Sequence, residues 1–302
     1  MLGAAGLDCS MLKAKTMLNI DSEDEGILLV SCAGGATATC ELPVSYENVE
    51  NESVAYTVTV TGIAGGHSGI EIHKQGANSN KILGRILYNL SKLCEFDIVS
   101  VNGGLKDNAI PRESIAVLSV SHKADIDKIN SHIKDINDIL RSEYISTDKE
   151  IKVLFEKSPE QFTKAMTKAD TKNVITALMS LPNGVERMSN DIEGLVQTSL
   201  NMGILKTEKE KVIFNFSVRS SVGSEKCEVN DRLSCIMDSL GGNMSISGDY
   251  PAWEYRQESK LRDLMVKTYE DLFAVKPEIQ AVHAGLECGL FAGKIPGLDC
   301  VS

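Results

Sequence analysis

The run Gly65-Gly66-His67-Ser68-Gly69-Ile70-Glu71-Ile72-His73 presents an imidazole on a glycine turn. Glycines let a backbone take positive φ and approach a ligand closely. Rigidly mounted loops are also where function concentrates. The same residues suit a plain glycine turn with a solvated histidine. Asp21 ends an apolar run, Met17-Leu18-Asn19-Ile20. A carboxylate at a strand tip can bind a hard or borderline divalent cation such as Zn²⁺; Glu23, Asp24 and Glu25 after it read as a solvated loop. Asn108, in Asn102-Gly103-Gly104-Leu105-Lys106-Asp107-Asn108-Ala109-Ile110-Pro111-Arg112-Glu113, can donate its amide to a developing oxyanion. A plain turn explains that loop equally. Arg219 follows the alternating run 212–218 and can hold a carboxylate with two parallel hydrogen bonds, or be a surface arginine on a sheet edge. His283 and Glu287 flank the glycine turn around Gly285, where they either touch a ligand or close the loop.

Other chemistries lack their signatures. There is no Gly-x-Ser-x-Gly elbow, no cysteine with a histidine at motif spacing, no phosphate loop and no dinucleotide fingerprint.

The elements that would position these residues alternate along the chain. Strands are expected over 17–21 and 27–33, the second apolar on both faces and stopped by Gly34-Gly35. Strand 56–61, helix 77–93, strands 96–102 and 114–121, and helix 126–143 make a strand-helix-strand-strand-helix unit. A helix over 162–180 comes next. Strands 196–204 and 211–219, helix 226–240 and strand 244–248 form a second, duplicate-like unit. Helix 261–273 and strand 278–282 return to core composition. The simplest organisation is an α/β domain at 1–42 and 251–302, interrupted by an α+β insertion at 43–250.

The chain has 302 residues, enough for about two domains. Its 42% hydrophobic content suits a packed core, and its net charge of −11, with no Lys/Arg cluster, argues against nucleic acid. No window approaches a membrane span, and no secretory signal is visible. Eight scattered cysteines, none in a CxxC pair, fit a reduced cytoplasmic protein.

Taken together, Asn19-Ile20-Asp21-Ser22-Glu23, Cys32-Ala33-Gly34-Gly35, the His67 and Asn108 loops, Pro182-Asn183-Gly184-Val185, Thr198-Ser199-Leu200-Asn201 and His283-Ala284-Gly285-Leu286-Glu287-Cys288-Gly289 resemble the aminoacyl-histidine dipeptidases (peptidase D, cytosolic Xaa-His dipeptidase). These are co-catalytic zinc exopeptidases, related to aminoacylase and peptidase T. The resemblance implies a di-zinc catalytic α/β domain with an inserted lid, and hydrolysis of Xaa-His or β-alanyl-histidine dipeptides, with Mn²⁺ or Co²⁺ as alternative metals. It implies that Asp21 is a zinc ligand and that His67 stabilises the tetrahedral intermediate. Asn108 would lie near the oxyanion, Arg219 would hold the dipeptide carboxylate, and Gly285 would contact substrate. A homodimer through the lid is expected.

The family's His-x-Asp pair, bridging Asp, Glu-Glu pair and final zinc histidine have no counterpart here. The first and last residues read like domain interior, so a fragment of a longer protein is expected. One carboxylate cannot hold two zinc ions, so the chain itself is expected to be weakly active or inactive. The competing readings are a lid-like dimerisation or peptide-binding module without catalysis, and a related aminoacylase or tripeptidase.

Overall fold

A computed structural model describes residues 2–22, 24–49, 53–159 and 161–302. Glu23, assigned above to a solvated acidic loop, and Met1 lie outside the described residues. The architecture is mixed α/β, in two sheet systems.

The larger system is a nine-stranded sheet, antiparallel at every pairing. From one edge its main path runs Lys152–Lys157, Ser53–Thr61, Ser114–Ser121, Phe96–Gly103, Val196–Thr207, Lys211–Ser220, Gly34–Pro43 and Asn243–Tyr250. Gly184–Met188 pairs beside Val196–Thr207. Both predicted units therefore join one sheet, through a short ladder of Leu205 with Gly103 and Lys206 with Asn102.

Helices pack on this sheet by apolar stripes. Ser79–Leu90 is capped by Asn78, whose side chain accepts from the Asn80 and Lys81 amides at 3.0 and 3.3 Å. It buries Ile82, Leu83, Ile86, Leu87 and Leu90. Ile126–Glu143 is capped by Asp125 and buries Ile129, Ile133, Ile136 and Leu140, at helical spacing. Gly223–Ser239 adds Val229, Leu233 and Met237. All meet Phe214 and Phe216 in one continuous core. Each such buried side chain contributes about 1.5–3 kcal/mol.

The smaller system is mixed, two parallel pairs joined by an antiparallel contact. Thr16–Leu18 pairs with Asp299–Val301, and Ile27–Cys32 with Glu278–Val282. Reciprocal bonds between Leu29 and Ser302, at 2.8 and 3.0 Å, join the two pairs into one layer. Its cores are small: Cys32, Trp253, Cys288, Ile295, Leu298 and Cys300 in one, Leu28, Leu261 and Val301 in another. All eight cysteines are unbridged. Among the described residues no helix is long and apolar enough to cross a membrane.

Several expected elements differ. Gly34-Gly35 does not stop a strand; it opens the ten-residue strand Gly34–Pro43. The pair is needed because a Cβ on Gly34 would meet the Ala252 amide nitrogen at 2.5 Å, and one on Gly35 the Tyr250 hydroxyl at 2.5 Å. The expected helix over 162–180 begins with a strand, Lys164–Met166, which pairs with Tyr46–Asn48; the helix is Lys168–Ser180, started by the Thr167 cap. The strand expected over 17–21 is Thr16–Leu18, so Asp21 lies beyond it.

Candidate active site

The polar face of the large sheet carries two cross-strand rows. Ser199 lies opposite Arg219, Arg219 opposite Gly35, and Gly35 opposite Tyr250. Directly opposed residues share a sheet face. With no side chain at Gly35, Tyr250 reaches across it, and Arg219 Nη1 donates to the Tyr250 hydroxyl at 3.3 Å. Arg219 is half-buried in the sheet interior rather than at an edge, and its Nε is buried without a hydrogen-bond partner. The second row is Asn201, Ser217 and Thr37.

The His67 turn docks against that face. Gly66–His67 forms a short antiparallel pair with Ala109–Ile110, and His67 lies opposite Ala109. The Ser68 amide donates to the Asn108 carbonyl at 2.9 Å. His67 and Asn108 therefore sit on one two-stranded platform. The amides of Gly69 and Ile70 both donate to His67 Nδ1, at 3.1 and 3.2 Å. With Nδ1 accepting, the neutral ring carries its proton on Nε2, which becomes a fixed donor. Burial first, and the Arg219 cation second, lower the pKa of His67 below 6.5, while Glu71 opposes them. Glu71 also accepts from the His67 amide at 2.8 Å and pairs with Lys74 at 2.7 Å.

The second sheet system meets this platform through its last turn. His283 Nε2 lies 2.7 Å from Ser199 Oγ. The His283 carbonyl closes on Gly69, where a Cβ would approach it to 2.9 Å. Burial, then Arg219, push His283 down to about 3, so it is neutral. Its Nδ1 is buried without a hydrogen-bond partner; the Val196 backbone opposes the shift without reaching hydrogen-bond geometry. Gly285 lies two residues on, in the bend before the helix Glu287–Lys294.

Four of the five expected site residues are thus brought into one neighbourhood: His67, Asn108, Arg219 and Gly285. Asp21 is exposed, and no hydrogen bond or ion pair ties it to the others among the described residues. Asp21 and Gly285 follow the carboxyl ends of strands that run in opposite directions, because the Leu29–Ser302 exchange between the two pairs is antiparallel, so topology does not place Asp21 on the edge of Gly285.

Residues 50–148 match the model of the peptidase dimerisation domain, M20_dimer. Over all 302 residues the chain is 36% identical to the cytosol non-specific dipeptidase of Escherichia coli (strain K12), covering 62% of it. The chain is similar to that dipeptidase along the whole of its own length. It also superposes on the crystal structure of aminoacylhistidine dipeptidase from Vibrio alginolyticus with a TM-score of 0.94 and 33% identity, over 99% of this chain and 61% of that one. The chain therefore spans less than two thirds of the length of both relatives.

The sequence alone assigned no site role to Tyr250 or Thr37, and Ser199 and Asn201 entered only within the Thr198–Asn201 motif. Their signal was polar alternation: Ser199 and Asn201 are each 1% exposed. Buried polar side chains on one face of a strand must have partners there.

Proposed function

We propose that this chain carries the lid and substrate-holding half of a metal-dependent dipeptidase site, for dipeptides of the Xaa-His or β-alanyl-histidine type. The observation that carries this reading is the pairing of an Nε2–H donor on His67 with the unpartnered buried Nε of Arg219 in one neighbourhood. Arg219 would grip the C-terminal carboxylate with parallel hydrogen bonds. His67 would donate to the oxygen that gains charge as the peptide carbonyl becomes tetrahedral. Asn108, whose amide side chain has no hydrogen bond among the described residues, would help orient that oxygen. The turn at Gly285 would let the substrate backbone pass close.

Zinc activates water and polarises carbonyls in sites of this kind. The residues present do not fit two zinc ions: among the described residues no group of three or more His, Cys, Asp or Glu forms a metal site. Asp21 would supply one carboxylate, and the other ligands would have to come from beyond this chain. Calorimetric zinc titration is expected to show fewer than two tight sites. Two tight sites would overturn that part of the reading.

Dimerisation through the lid belongs to the same proposal, supported by the match of residues 50–148 to a dimerisation domain. A cytoplasmic location follows the name of the Escherichia coli relative. Dipeptide-binding calorimetry tests the site. A dipeptide with a free C-terminus should bind, and either C-terminal amidation or Arg219→Met should weaken it, with little further loss when the two are combined. Additive losses would place the carboxylate elsewhere.

A further inference from the structure

Asn201 has no role in the proposed reaction, yet it is nearly inaccessible and both ends of its side-chain amide are hydrogen-bonded. Its Nδ2 donates to the Asp107 carbonyl at 2.8 Å and to the Ala109 carbonyl at 2.9 Å, the carbonyls of the residues on either side of Asn108. Its Oδ1 accepts from Asn78 Nδ2 at 3.2 Å. That bond sets which way the Asn201 amide faces, so both its N–H groups must point at the loop. Asn78 is held in turn by the Asn183 side chain at 3.1 Å and the Met202 carbonyl at 3.2 Å.

The opposite flank is also fixed. Thr37 Oγ1 donates to the Asp107 carboxylate at 2.8 Å, and that carboxylate accepts the Asn108 amide at 2.8 Å. The approach needs bare backbone: a Cβ on Gly203 would meet the Asp107 carbonyl oxygen at 2.3 Å, at the irregularity between Met202 and Ile204. Asn201, from the second strand unit, and Thr37, from the adjoining strand Gly34–Pro43, share one cross-strand row. His67 and Asn108 sit on the first. The connection crosses the seam between the two halves of the sheet.

We infer that Asn201, backed by Asn78 and assisted by Thr37 through Asp107, is a positioning residue that sets the Asn108 loop and, through the pairing of His67 with Ala109, the aim of the His67 ring. This rests on the dipeptidase reading only in calling the platform catalytic; the mechanical claim stands by itself. It makes the second strand unit the jig for the first one's functional loops. Displacement of such a loop by about 1 Å is enough to cost on the order of a hundredfold in rate.

The test uses the full chain, labelled uniformly with ¹⁵N; it has five histidines. Asn201→Asp keeps the shape but turns a donor pair into oxygens facing two carbonyls. The expected result is a changed His67 ring spectrum, with loss of the Nδ1-acceptor signature, and faster hydrogen exchange at the Ser68 amide. The His122 ring signal should stay unchanged. A folded Asn201→Asp chain with an unchanged His67 ring and unchanged Ser68 exchange would overturn the inference. Should that variant not fold, Thr37→Val loosens only the Asp107 side. It should move the same two signals by less, and no movement would again overturn the claim. If the ring and the amide respond as expected but the dipeptide binding described above is absent, the functional reading fails and the positioning role survives.

Discussion

His67 and Asp21 are the two residues of the candidate site best suited to chemistry, and they are held in opposite ways. His67 has its ring nitrogen fixed by two backbone amides, its own amide fixed by Glu71, and its strand paired to the Asn108 loop. Asp21 is exposed and follows a three-residue strand. The difference extends to the cores beneath them. The nine-stranded sheet and its helices share one large buried cluster, whereas the smaller layer rests on two small ones. A donor that must meet a developing charge gains from such preorganisation. The Asp21 carboxylate has no such fixed partner among the described residues.

The contrast can be broken most forcefully at the cores. Phe216→Ala should lower the stability of the nine-stranded sheet by about 3–5 kcal/mol in denaturant unfolding. Leu261→Ala, in the three-residue cluster, should mainly speed hydrogen exchange in the smaller layer. An equal loss of global stability from both would show the two regions to be one cooperative unit. In a form of the protein that hydrolyses dipeptides, His67→Ala should cut kcat by roughly 10²–10³-fold with KM little changed. A kcat left intact would remove His67 from the reaction.

A pH measurement sharpens the comparison at the contact between the regions. His283 titrates near 6.5 when unfolded and near 3 in the fold. Below pH 6.5 the unfolded chain takes up a proton that the folded one refuses. Its contribution is therefore intact above pH 6.5 and is lost as pH falls from 6.5 towards 3. The slope is at most about 1.4 kcal/mol per pH unit. His283→Asn should reduce the pH dependence of stability in that window relative to the parent chain; identical slopes would count against a neutral buried His283. The smallest effect is expected at Asp21→Asn, with stability within about 0.5 kcal/mol of the parent. A larger change in thermal unfolding would mean that Asp21 has a structural partner.

Much of this was legible in residue patterns. The alternation of Tyr56–Thr61 and the three-and-four spacing of Ile129, Ile133, Ile136 and Leu140 specify their elements locally, because one face of each is buried. The His67 and Asn108 loops stood out for their glycines and polar residues. What could not be read was set by partners distant in sequence. Gly34-Gly35 reads as a stop until Tyr250 is seen lying over it. Lys164–Met166 reads as helix until Tyr46–Asn48 pairs with it. Asn201 reads as one more strand residue until Asp107 and Ala109 are brought to its amide across the sheet. Local propensity is silent about such contacts.

The central claim is that His67 Nε2–H and the Arg219 guanidinium face one ligand. Nitrogen-15 spectra of the full chain, recorded while β-alanyl-histidine is added, address it directly. The account predicts a neutral His67 protonated on Nε2 before addition, with the His67 ring and Arg219 Nε signals moving together along one saturation curve. A ring protonated on Nδ1, or an Arg219 signal that stays fixed while the dipeptide binds, would contradict it.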